Sequence, residues 1–183
     1  ELEAAMVEVR GMQKRTEWQA KLTTANAKLG SVLSLAAWQA AAADLTSTGE
    51  SLQQSLAVLG SEPQLAADLD VFTKGCSKWS SAKAGLDKAA QALADGSVTA
   101  CLREISGTLV PGGARAEFDE LKLVAEKCRA AFEVLEQQLD VAAAKSQLGA
   151  ARELANRMSL LPPTVARRID NWQAGINNLE RQA

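Results

Sequence analysis

FDELKLVAEKCRAAFEVLEQQLDVA, residues 118–142, sets Phe118, Leu121, Ala125, Cys128, Phe132, Leu135, Leu139 and Ala142 at alternating steps of three and four. An α-helix turns once in about 3.6 residues, so this spacing lays one apolar stripe along one face; a strand would alternate every second residue. Such a stripe is the seam of a bundle or a coiled coil. A second long seam runs through Leu65, Leu69, Phe72, Cys76, Trp79, Leu86, Ala90 and Leu93, missing one beat at Lys83. A lysine there either carries its ammonium to the surface along an apolar stem or is buried against Asp87, one turn later. Shorter seams follow Trp38, Leu45, Leu52, Leu56 and Leu59; Val98, Cys101, Ile105 and Leu109; Leu148, Ala151, Ala155, Met158 and Leu161; and Val165, Ile169, Trp172, Ile176 and Leu179.

Composition agrees. Hydrophobic residues make up 47% of the 183, but aromatics only 4%, and alanine supplies much of the remainder. Alanine favours helix because it loses no side-chain entropy there. The expected fold class is therefore all-α: an up-and-down four-helix bundle built from hairpins, with an additional N-terminal helix or arm and a C-terminal helix. Residues 1–34 are the expected N-terminal helix or arm and a possible docking segment. Residues 35–183 form the bundle domain, with core hairpins at 64–110 and 114–161.

Turn chemistry marks the breaks. Gly60-Ser61-Glu62-Pro63 offers a terminal glycine, then a serine with Gln64 three residues on, the capping-box spacing. Asp95-Gly96-Ser97 reads as a tight turn, while Pro111-Gly112-Gly113 and Pro162-Pro163-Thr164 stop any helix. Gly30 and Thr46-Ser47-Thr48-Gly49 weaken the N-terminal third. A shift of fifty-three positions superposes Lys74 on Lys127, Trp79 on Phe132, Leu86-Asp87 on Leu139-Asp140 and Ala89-Ala90 on Ala142-Ala143. Duplication or the sameness of alanine-rich hairpins explains this equally.

The missing residues exclude much chemistry. Histidine and tyrosine are absent, which removes the commonest general base and metal ligand and every Ser–His or Cys–His pair. No glycine-rich phosphate loop and no calcium loop is present. Asp119 and Glu120 are adjacent, so on a helix they point apart. The expectation is a non-enzyme with no cofactor, no metal and no catalytic residue. A formal net charge of −2 argues against nucleic acid, and Leu29–Ala43 is too short an uncharged run to span a bilayer. The chain opens at Glu1, which reads as a processed or truncated form. Cys76, Cys101 and Cys128 read as buried free thiols, with a Cys76–Cys128 bridge as the alternative.

That leaves partner binding. Trp18 lies in the polar stretch Lys14-Arg15-Thr16-Glu17, and an exposed tryptophan there, with Lys14 and Arg15, is the expected contact point. From Ser31 to Thr73 the acids Asp44, Glu50, Glu62, Asp68 and Asp70 occur with no lysine or arginine. That stretch is either a solvated acidic face or a patch, with Asp44 and Glu50, that meets a basic partner.

Leu86-Asp87-Lys88-Ala89-Ala90 and Leu139-Asp140-Val141-Ala142-Ala143, with the stop Leu160-Leu161-Pro162-Pro163 and the opening Ala37-Trp38-Gln39, resemble the PsbQ-like extrinsic proteins of photosystem II over about residues 35–163. The resemblance implies a four-helix bundle in the thylakoid lumen of the chloroplast, peripheral to the membrane. It would dock on photosystem subunits, stabilise them without catalysis, and use its N-terminal arm for docking. A spectrin-like helical scaffold or adaptor, in the cytoplasm, would give the same pattern. A carrier of a pigment or small molecule in the bundle core is the third reading.

Overall fold

The computed structural model describes residues 2–138 and 140–182, and these form seven α-helices and no strand. They are α1 (Leu2–Gly30), α2 (Leu35–Leu59), α3 (Pro63–Ala94), α4 (Val98–Gly107), α5 (Arg115–Gln138), α6 (Val141–Arg157) and α7 (Pro163–Gln182). The protein is all-α, and its helices pack side by side, as in a helical bundle, within each of two units. The chain divides into two compact units, residues 1–80 and 81–183, and the border falls inside α3.

Breaks follow local chemistry. Gly60 ends α2 at φ 92°, a left-handed conformation that glycine adopts without a Cβ clash. Ser34 caps α2 by accepting from the Ala37 N–H, and Ser97 caps α4 from the Ala100 N–H after Gly96 (φ 96°) closes the turn. The expected capping box at Ser61 is corrected. Helix α3 begins at Pro63, whose missing N–H is harmless in the first turn, and the Gln64 amide donates forward to Asp68 at 3.0 Å.

The stripe in residues 118–142 belongs to two helices. Helix α5 stops at Gln138, and Asp140 caps α6, its Oδ1 accepting from the Ala143 N–H at 2.9 Å. An aspartate whose side chain takes up an orphan N–H starts a new helix even where apolar spacing continues. Leu139 lies outside the described residues. The fifty-three-residue shift thus superposes the last third of α3 on the start of α6, so Asp87 lies within a helix where Asp140 caps one. Leu109 also leaves its stripe. It follows the end of α4 and is 91% exposed.

In the first unit α1 runs antiparallel to α2, with Trp18 facing Leu52 and Lys28 facing Asp44. Helix α3 runs the same way as α1, since Arg15 pairs with Glu62 at its start and Leu29 lies against Gly75. The core joins Trp18, Leu22, Trp38, Leu45, Leu52, Leu69 and Phe72, and each such side chain contributes about 1.5–3 kcal/mol on burial. Gly49 permits the approach of α2 to α3, because a Cβ there would lie 3.3 Å from the Phe72 ring. Trp79 is half-buried at the edge, stacked on Trp38 with centroids 6.5 Å apart and planes 18° from parallel.

In the second unit α5 packs against α4 and α6, and α6 against α7. Ala144, Leu148, Ala151 and Ala155 form the buried face of α6, and the small alanines let the neighbouring helices come close. Arg152 forks onto Asp170 of α7 with two bonds of 2.7 and 3.1 Å. Arg168 of α7 donates to the Ala94 carbonyl at 2.6 Å, placing a cation where the α3 dipole is negative. Trp172 is half-buried, edge-on to Phe132 at 5.0 Å.

Candidate interaction surface

Each residue expected to meet a partner has a place in the first unit. Trp18 corrects the expectation of an exposed indole. It is 3% exposed, and its Nε1–H donates to the Leu52 carbonyl at 2.9 Å. The reason is a stripe masked by polar neighbours: Trp18, Leu22, Ala25 and Leu29 recur at helical spacing and lie on α2 and α3. Arg15 pairs with Glu62, and Lys28 with Asp44 at 2.5 Å. Lys74 takes Asp70 at 2.6 Å. The basic surface that meets much of the acidic stretch is therefore supplied by neighbouring segments of the same unit. Glu50 is exposed on a groove of about 550 Å³ between α2 and α3, beside Gln53, Gln54 and Ser77. Lys14 is exposed beside Glu17 and Val58.

The α2–α3 groove is an open furrow, and so is one between α1 and α2, about 620 Å³, walled by Lys21, Thr24, Lys28, Asp44, Ser47 and Ser51. No wholly buried polar or charged side chain stands among the described residues, and no cluster of three or more cysteines, aspartates or glutamates there could hold a metal. The three thiols are buried and free. Burial pushes Cys101 and Cys128 up to about 12 and raises Cys76. A thiol so raised is protonated at neutral pH and a poor nucleophile. Lys83 settles on Asp87, donating to both carboxylate oxygens at 2.6 and 2.7 Å from a half-buried position.

One surface escaped the sequence reading. Extending the antiparallel register of α1 on α2 brings Leu59, the end of α2, opposite about Met12. The first ten or so residues of α1 therefore have neither α2 nor α3 to lie on. Leu2, Met6, Val9 and Met12, and with them Val7, are exposed there, from 49% at Met6 to 81% at Leu2. All but Val7, spaced by four, three and three, share one face. At about 100° per residue, that face is opposite the one Trp18 buries. The spacing was readable, but it is out of phase with the Trp18 stripe, and the two blur each other in a single window.

The fold and these surfaces define an all-α protein of two small helical units that presents helix faces and shallow furrows. Among the described residues no helix is long and apolar enough to cross a membrane. No family model, curated protein or solved structure matches the chain.

Proposed function

We propose that the chain is a non-catalytic structural and interaction protein: a helical scaffold or adaptor that works through the outer faces of its helices. The observation that carries this reading is the border between the two units, which falls within a 32-residue helix and not in a loop. Small helical units that follow one another through helix are suited to presenting surfaces in series. The absence of histidine, the raised thiols and the open furrows support the non-catalytic part.

The second reading follows the PsbQ-like resemblance, an extrinsic subunit at the lumenal face of photosystem II. The exposed start of α1 favours it, since that reading needs an N-terminal docking element. Its finer architecture would be an up-and-down four-helix bundle within residues 64–161.

Gentle affinity purification from the source organism separates the two. Photosystem subunits in the eluate support the second reading, and a set of unrelated partners supports the first. A chain recovered alone under all conditions, or one that turns over a substrate, overturns both.

A further inference from the structure

We infer that the exposed start of α1 pairs with the same segment of a second copy of this chain, the two helices antiparallel. The apolar face supplies the first argument. Leu2, Met6, Val9 and Met12 span about 15 Å of helix at 1.5 Å per residue, on a segment that already extends from a folded unit. A helix held by tertiary packing has its nucleation cost met, so a short face suffices where an isolated peptide of that length would not fold.

Charge identifies the occupant. Along one flank of the apolar face Glu3, Arg10 and Glu17 recur every seven residues with alternating sign. Seven residues is the interval at which flanking charges of paired helices meet their counterparts. None of the three has an ion-pair partner among the described residues; Arg15, on the other flank, is already held by Glu62. In an antiparallel pair the flank meets its own reverse, so Glu3 faces Arg10 of the second copy and Arg10 faces its Glu3. The same arrangement sets Leu2 against Met12 and Met6 against Val9. Both pairings centre within about one residue of Val7, so the apolar and charged registers agree. A parallel pair would instead turn this flank toward Ala5 and Met12, where no charge answers it. The segment is basic only at Arg10, Lys14 and Arg15 and carries Glu3, Glu8 and Glu17 besides, which disfavours an anionic membrane as the occupant.

Two such faces bury less than the standard interface of roughly 800 Å² per partner, so the dimer is weak and depends on concentration. Sedimentation equilibrium of the full chain from low micromolar to millimolar concentration tests it. The expected result is a monomer–dimer equilibrium that Val9→Glu weakens at least tenfold, with circular dichroism unchanged because Val9 touches no core. Glu3→Arg and Arg10→Glu, each alone, should also dissociate the dimer by setting like charges together. Mixed in equal amounts, the two variants should associate with each other, since each then carries the charge the other lacks. A chain that stays monomeric at millimolar concentration overturns the inference. So does a dimer indifferent to Val9→Glu, or a mixture of the charge variants that does not pair. Partner capture in the purification above can succeed or fail independently of these outcomes.

Discussion

Replacing Trp18 with phenylalanine keeps a ring in the α1–α2 seam but removes the indole N–H that Leu52 accepts. A buried hydrogen bond contributes about 1 kcal/mol, and the smaller ring loses further contact, so Trp18→Phe should cost about 1–3 kcal/mol in urea unfolding. An unchanged midpoint would return Trp18 to the surface. The thiols give a pH signature. Cys101 and Cys128 rise from the ordinary 9.0 to about 12 because burial penalises the thiolate. Below about pH 9 both folded and unfolded chains hold these protons, and their contribution is constant. Between 9 and 12 only the unfolded chain releases them, so stability falls as pH rises through that window. Urea midpoints at about pH 8 and about pH 10.5 should show the loss, and Cys101→Ala should shallow it while lowering the midpoint at both. The burial of the cysteines was readable from their stripe positions. That of Trp18 was not, because long polar side chains between its stripe members hide a narrow seam. Nor did the sequence show that Asp44 would answer Lys28, sixteen residues away, because that depends on the α1–α2 register.

Among the helices, two glycines predict opposite outcomes. A Cβ on Gly85 of α3 would fall 2.5 Å from Thr108 Cγ2, and the Thr108 hydroxyl is tied to the Glu104 carbonyl at 2.7 Å just beyond α4. Gly85→Ala should therefore destabilise the protein by about 1–3 kcal/mol, the usual range for overpacking, and Thr108→Ala in the same chain should recover part of it. Gly11 of α1 meets nothing within 4 Å, so Gly11→Ala should stabilise the helix by about 0.5–1 kcal/mol through the unfolded chain's lost freedom. Thermal melts of the two variants give the contrast directly. The breaks around Gly60, Gly96, Pro111 and Pro162-Pro163 were legible because their backbone chemistry is local, although α4 and α6 stop four and five residues before the prolines and Pro163 opens α7. The α5–α6 break was not, since Asp140 caps within a run whose apolar spacing never falters. The sequence of α1 reads equally as helix or arm because the first third of it has nothing to bury.

For the molecule as a whole, composition gave the all-α class, but the division at Ser80 was not legible. The seam of α3 runs on past the border with one missed beat, at Lys83, and that says nothing about which neighbours cover each half. The ion pairs from Arg15–Glu62 through Arg152–Asp170 each have one side chain at least 49% exposed. Exposed pairs contribute little and are screened at about 1 M salt, so raising salt to that level should change unfolding stability by less than about 1 kcal/mol. A larger loss in a salt titration of the urea midpoint would mean that charge holds these helices together. The stacked Trp38 and Trp79 have a further use. With Trp18 they put three of the four indoles before residue 81, leaving Trp172 beyond it, and no phenol is present to blur the emission. Removing Trp172 makes ultraviolet fluorescence a dedicated gauge of the first eighty residues. Keeping only Trp172 reads the remainder, so melting of the two halves can be timed separately without attaching a dye.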